Sequence, residues 1–359
     1  ADNQGKIYGA GLPTLTASYS GFVNGDTAAN LDTPVTLSTT ATAASDVGPY
    51  PITASGAADL NYTITFVPGT LTVTPAALTI TADNQGKIYG AALPTLTASY
   101  SGFVNSDTAA SLDTPVSLST TATAASDVGP YPITASGAAD VNYAITFVAG
   151  TLTVSPAVLT VTADDQSRAF GQSNPLFTLT YAGFVGSDTP SDIDVAPVAS
   201  SLADTNSPIG TYAITLAGGS DINYTFAFVS GTLTVTPTAL TITADNQGKI
   251  YGAALPTLTA SFSGFVNGDD RTVLTGTLIL STAATQGSDV SVYPVTPSGL
   301  SSTNYTITFV DGTLTVTPAE LTSTADHQGK IYGAALPTLT VSYSGFVNGQ
   351  DSSIVTGTL

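Results

Sequence analysis

Short runs in which apolar residues alternate with Thr or Ser fill most of this chain. Leu78 and Ile80 alternate with Thr79 and Thr81, Leu96, Ala98 and Tyr100 with Thr97 and Ser99, and Val116 and Leu118 with Ser117 and Ser119. Farther along, Tyr131, Ile133 and Ala135 form one such set, Tyr143, Ile145 and Phe147 the next, and Leu152 and Val154 the last. A period of two puts each set on one side of a half-buried strand. Turn signals separate the runs: Asp83-Asn84-Gln85-Gly86, Leu93-Pro94, Gly129-Pro130 and Ala149-Gly150. The pairs Asn24-Gly25, Asn267-Gly268 and Asn348-Gly349 suit tight turns, whose central residues need positive φ. Six or seven strands in roughly 80 residues predict a small antiparallel β-sandwich of immunoglobulin-like type. Residues 106–112 break the alternation and predict one helical turn capped by Ser106 or Asp107. A longer helix there would favour a β-grasp-like sheet carrying one short helix.

The pattern repeats. Ala1-Asp2-Asn3-Gln4-Gly5-Lys6-Ile7-Tyr8-Gly9 has counterparts starting at Ala82, Ala163, Ala244 and Ala325, each 81 residues after the last. A fixed period marks a repeat architecture, and 81 residues exceed the roughly 20–50 of a solenoid unit. Each repeat is long enough to be a small domain. Each closes on a phrase like Gly69-Thr70-Leu71-Thr72-Val73-Thr74-Pro75, ending at Pro75, Pro156, Pro237 and Pro318. Proline has no N–H for a ladder, so the boundaries fall there. The domains read as 1–75, 76–156, 157–237, 238–318 and 319–359. Linkers of about one or two residues are too short to act as flexible tethers, so neighbouring domains should be held stiffly. Repeat one lacks the Leu-Thr-Ile-Thr strand that opens the others, and repeat five ends at Leu359, inside the strand matching Thr277-Leu278-Ile279-Leu280. The expectation is a stretch of a longer protein, or end domains completed by another chain.

Composition narrows the function. The 359 residues include no Cys, Met or Trp, a single His and a single Glu, and the net charge is −19. Clustered Lys or Arg is what nucleic acid and anionic membrane demand, and the chain has only 6 such residues. No apolar run approaches the roughly 20 residues of a membrane helix. Without cysteine, stability must come from packing, metal or assembly.

Lys87-Ile88-Tyr89-Gly90-Ala91-Ala92-Leu93-Pro94-Thr95-Leu96-Thr97 resembles the opening of the MBG domain of the Tyr-Gly-Xaa type. Tyr19-Ser20-Gly21-Phe22-Val23-Asn24-Gly25-Asp26-Thr27 is similar to the same family. So is the close, from Asn61-Tyr62-Thr63-Ile64-Thr65-Phe66 to Pro75. The resemblance covers all five repeats, and repeat three departs most, with Phe170-Gly171-Gln172 for Tyr-Gly-Ala. It implies a place in a large bacterial surface or secreted protein and an adhesive or stalk-like role. It brings no catalytic residues.

Candidate chemistry is sparse. His327 stands where other repeats have Asn3, Asn84, Asp165 and Asn246, which marks a polar turn position. No catalytic residue is assigned and no enzyme activity is expected. Loop Asp residues suit Ca²⁺, and Asp188, Asp192 and Asp194 form the densest local set. Calcium at a domain junction is the one cofactor that the composition suits. Lys6, Lys87, Lys249 and Lys330 recur, as do Asn61, Asn142, Asn223 and Asn304, which would suit Lys–Asn isopeptide bonds. Arg168 cannot form one, and the plain reading is a solvated Lys guarding an edge strand. Asn61, Asn223 and Asn304 begin glycosylation sequons. Tyr8, Tyr50 and Tyr62 suit either a sugar site or strand packing.

The repeat pattern and the resemblance together imply a rigid, non-enzymatic stalk of a bacterial cell-surface adhesin, extracellular, with neighbouring repeats, copies of itself, or a host or matrix glycan or protein as partners. Nucleic acid and membrane insertion are not expected. The alternatives are a filament subunit joined head-to-tail by strand complementation, or a weak multivalent carbohydrate-binding array.

Overall fold

The computed structural model describes residues 1–357; the strand expected to end at Leu359 reaches outside them. The chain divides into two compact units. The first holds residues 1–160, 181–196 and 219–227, and the second holds the remainder, so the third repeat is shared between them.

In the first unit, repeat two shows the whole design. One sheet has three strands, in the order Tyr143–Val148, Ala76–Ala82, Ala98–Ser101. The other has four, in the order Gln85–Ile88, Gly150–Ser155, Gly129–Ser136, Ser117–Thr120. Leu78, Ile80, Ile133 and Leu152, at most 1% exposed, meet in the core between them. These are the residues that the period-two pattern assigns to inward faces. The repeat is therefore an all-β sandwich.

The sheets are mixed rather than wholly antiparallel. Tyr143–Val148 runs parallel to Ala76–Ala82, and Gly150–Ser155 runs parallel to Gln85–Ile88. The cause is a pair of sheet changes. Asp83-Asn84 carries the chain from one sheet to the other, and Ala149 carries it across at the far end of the repeat. Gln85 and Gly86, expected in a turn, therefore already belong to a strand. At Gly150 a Cβ would overlap the Ala82 carbonyl oxygen, so only glycine lets these two crossings pass.

No long helix occupies residues 106–112. Ala109–Ser111 is one 3-10 turn, which ends because Leu112 returns to extended backbone and buries its side chain. Among the described residues every helical element is a turn of this kind. The β-grasp-like alternative is thus set aside. Asn24 and Gly25, at φ 56° and 81°, adopt the left-handed turn that Asn-Gly predicts.

The second unit contains the four-stranded sheet of repeat three and both sheets of repeat four, in the same strand order. In repeat five, Thr322–Ala325 pairs with Val341–Ser344.

Candidate functional site

The side chains that recur at the 81-residue spacing gather where one repeat meets the next. Tyr8 of repeat one is 7% exposed and packs edge-on against Tyr143 of repeat two, with ring centroids 5.6 Å apart. Both phenols donate to one carboxylate oxygen of Asp107, at 3.1 Å and 2.7 Å. The next junction repeats this. Tyr89 packs against Tyr224 at 5.6 Å, and both donate to Asp188, at 3.0 Å and 2.6 Å. Burial, assisted by the carboxylates, pushes the Tyr143 and Tyr224 phenols up to about 12. Gly90, at φ 78°, lies so close to Val185 that a Cβ would collide with its side chain.

An asparagine pins the other side of each junction. The Asn142 side-chain oxygen accepts from Val47 N at 2.9 Å, while its Nδ2 donates to Asp46 at 2.9 Å. Asn223 does the same with Val128 and Asp127, at 2.9 Å each. Repeat three departs here. Phe170 has no hydroxyl, so Asp269 accepts from Tyr305 alone of this pair, at 2.7 Å. Pro208 stands where Asp46 and Asp127 stand, and Asn304 keeps the amide of Ile209, at 3.2 Å. Two neutral bonds join this junction instead: Asn267 Nδ2 to Thr205 O at 2.8 Å, and Thr238 Oγ1 to Phe170 O at 2.5 Å.

In repeats one, two and four the recurring lysine is not a solvated edge guard, since Lys6, Lys87 and Lys249 are buried. Lys87 is 8% exposed, and its ammonium donates to the carbonyls of Ile88, Ala91 and Ala124 at 3.4, 3.1 and 3.0 Å. Lys6 makes the matching three bonds. The charge can be buried because two carbonyls at the Tyr-Gly-Ala turn, Ile88 and Ala91, and one from the loop at Ala124 converge on it. Its amine therefore points at carbonyls, and Asn142 is occupied at the junction, so the geometry does not pair Lys with Asn. Arg168 reaches the Ala169 and Asp204 carbonyls instead.

The three aspartates singled out for calcium serve separate bonds. Asp188 holds the tyrosine pair; Asp192 accepts from Thr189 N and Oγ1, both at 2.8 Å; Asp194 accepts from Ile222 N at 3.1 Å. Among the described residues no three His, Cys, Asp or Glu are grouped as metal ligands. His327 is exposed. Its counterparts Asn3 and Asn84 accept from Thr70 N and Thr151 N, at 2.9 Å and 2.8 Å, and so secure the start of the closing strand. Asn223, in one of the sequons, is used on both its side-chain atoms at a junction. Tyr50 donates to Asp46 O at 3.0 Å and Tyr62 to Asp26 at 2.8 Å.

The arrangement joins repeats. The sequence flagged the tyrosines and asparagines singly but missed their shared carboxylates. The available signal was that Phe170 and Pro208 depart together in repeat three.

Among known families, the MBG domain (YGX type) matches residues 1–72, 78–153, 159–234, 240–315 and 321–359. No curated protein matches the chain. Among solved structures it is similar to a tandem from titin, at 12% identity and a TM-score of 0.21, covering 67% of this chain and 100% of that one. It is also similar to Drosophila N-cadherin domains, at 10% identity and 0.18, covering 66% and 98%. A third is the N-terminal part of the bacteriophage RB49 highly immunogenic outer capsid protein, at 11% identity and 0.20, covering 81% and 100%.

Proposed function

Since the chain belongs to the MBG domain family of the YGX type, carried as a tandem array, we propose that it is a non-enzymatic spacer, the rigid extracellular stalk of a bacterial cell-surface adhesin. One observation carries this reading. The side chains that recur with the repeat are used to fasten each repeat to the next. The Tyr–Asp–Tyr set and the Asn pin leave little room for rotation between repeats one and two, or between two and three. A stalk needs that property, because reach is lost wherever a junction swivels. Length then grows by adding units, without designing a new interface. The net charge of −19 suits a self-repelling surface protein.

Electron microscopy of the purified chain, with calcium and with chelator, tests this. Single particles of constant length are expected in both conditions. Particles bent to many angles at the junctions would overturn the spacer reading.

A further inference from the structure

Of the three Asn-Gly pairs in the sequence, one also carries a junction. Asn267 and Gly268, at φ 57° and 78°, turn the chain between Val266 and Asp269, whose amide donates to Val266 O at 2.9 Å. Val266 lies so close to Gly171 of the preceding repeat that a Cβ there would collide with it. Asn267 and Gly268 are exposed, and Asn267 Nδ2 donates to Thr205 O at 2.8 Å.

Arg168 is the reason that Thr205 can accept this bond. In repeats one, two and four a lysine donates to the carbonyl at the matching point of the loop: Lys6 to Ala43, Lys87 to Ala124 and Lys249 to Gln286. Thr205 is their counterpart, and Arg168 reaches Asp204 O instead. The Thr205 carbonyl is left to Gly171 N, at 3.2 Å, and to the side chain of the next repeat. The same junction has no hydroxyl at Phe170 and no carboxylate at Pro208. A junction that lacks the tyrosine and aspartate ties of its neighbours thus leans on a primary amide that is followed by glycine.

That pairing is chemically labile. Glycine has no side chain to crowd its nitrogen, and nothing lies within 4 Å of where a Cβ at Gly268 would stand. We propose that Asn267 is a spontaneous modification site, at which water converts the carboxamide to a carboxylate and releases a tie between repeats three and four. Gly268 N attacks Asn267 Cγ and closes a succinimide ring. The Cγ–Nδ2 bond breaks, and the Gly268 amide proton leaves with Nδ2 as ammonia. Water then adds to either ring carbonyl and opens the ring to aspartate or isoaspartate. No oxidant or enzyme is needed. Ring closure requires the side chain to leave Thr205 O and swing back onto its own backbone. The product cannot restore that bond, because a carboxylate accepts and does not donate, and its charge stands two residues from Asp269. A transient release is thereby made permanent, and this junction loosens with age. The chemistry holds whether or not the array is a stalk.

Repeat two supplies the contrast. Asn105 occupies the same turn position, at φ 52°, but Ser106 follows it, at φ 67°. The serine side chain crowds the attacking nitrogen, so Asn105 should keep its amide.

Peptide mass mapping of the full chain, incubated in mildly alkaline buffer made with heavy-oxygen water, reads the conversion. Asn267 should convert roughly tenfold faster than Asn105, with one oxygen from water in the product and isoaspartate present. Gly268→Ser, which copies the turn of repeat two, should bring Asn267 down to the rate of Asn105. The Ile209 amide, held by Asn304 across the same junction, reports the consequence. It should exchange about fivefold faster in the converted chain, as for the loss of one neutral hydrogen bond, while Val128, held by Asn223, stays unchanged. Asn267→Asp should show the same change without incubation. Conversion of Asn267 no faster than that of Asn105 would overturn the proposal. So would full conversion that leaves exchange at Ile209 as it was.

Discussion

Residues 87–97 and 330–340 have the same sequence, Lys-Ile-Tyr-Gly-Ala-Ala-Leu-Pro-Thr-Leu-Thr, and live in different surroundings. In repeat two the lysine is buried, and Tyr89 is 9% exposed and donates its amide to Ser155 O at 2.8 Å. In repeat five Tyr332 is fully exposed, and Gln328 to Ile331 form no strand. The turn itself is the same in both, since Ala91 N donates to Ile88 O at 3.0 Å and Ala334 N to Ile331 O at 3.1 Å. The difference is the closing strand. Gly150–Ser155 pairs with Gln85–Ile88 in repeat two, and no described residue takes that place beside Gln328. Local sequence thus makes the turn, and a strand about 65 residues farther on makes the strand and the burial. The junction follows from that burial, because the tyrosine reaches the next repeat's carboxylate only once its own strand is held.

The largest effect should come from cutting into the closing strand. Leu152→Ala, at a position with no exposure, should cost about 3 kcal/mol by removing core and leaving a cavity. Denaturant melts should show it, and proteolysis should begin at residues 85–91, making repeat two behave like repeat five.

The lysine should matter next most. Lys87→Met takes a charged donor from the Ala91 carbonyl, and from the Ile88 and Ala124 carbonyls that also accept backbone amides, and should cost about 2 kcal/mol. In the chain of residues 1–359, where no described residue pairs beside it, Lys330→Met should change stability by less than about 0.5 kcal/mol, because that side chain is exposed.

Alkali should act on the buried tyrosines. The folded values of Tyr143 and Tyr224 are raised from 10.0 to about 12, so the fold favours the neutral phenol. Their contribution is whole below pH 10 and is lost as pH climbs from 10 to 12, on the order of 1–2 kcal/mol for each. Phenolate absorbance followed together with circular dichroism should show unfolding in that window.

The smallest effects lie at single hydroxyls. Tyr89→Phe removes one donor from Asp188 and should cost about 1 kcal/mol, whereas Phe170→Tyr adds one toward Asp269 and should gain a similar amount or less. Melting temperatures of the two variants should move in opposite directions.

Much of the sandwich was legible in the sequence, because alternation of Leu78, Ile80, Ile133 and Leu152 with Thr or Ser needs only one dry face per strand. The parallel pairings were not, since direction depends on which sheet each half-strand joins after Asp83-Asn84 and Ala149. Lys87 was read as solvated because a lone cation on an alternating strand normally is. Its three carbonyl partners come from a turn and from Ala124, which no local pattern ties together. The carboxylates of Asp107 and Asp188 looked like loop charges and calcium candidates. Their tyrosine partners stand in neighbouring repeats, and Asp107 lies 99 positions after Tyr8.

The most direct test of the closing strand's role uses a natural label. The peptide from 82 to 97 is identical to that from 244 to 259, both copies having their closing strand, and the counterpart from 325 to 340 differs from them only in carrying His327 in place of Asn84 and Asn246. Hydrogen exchange read by mass spectrometry separates them by that one residue. In the chain of residues 1–359, strong protection is expected in the Asn84 and Asn246 peptides and near-free exchange in the His327 peptide across Gly329 to Gly333. Equal protection of the two kinds would contradict this, because the sequence alone would then be ordering the segment without its partner strand.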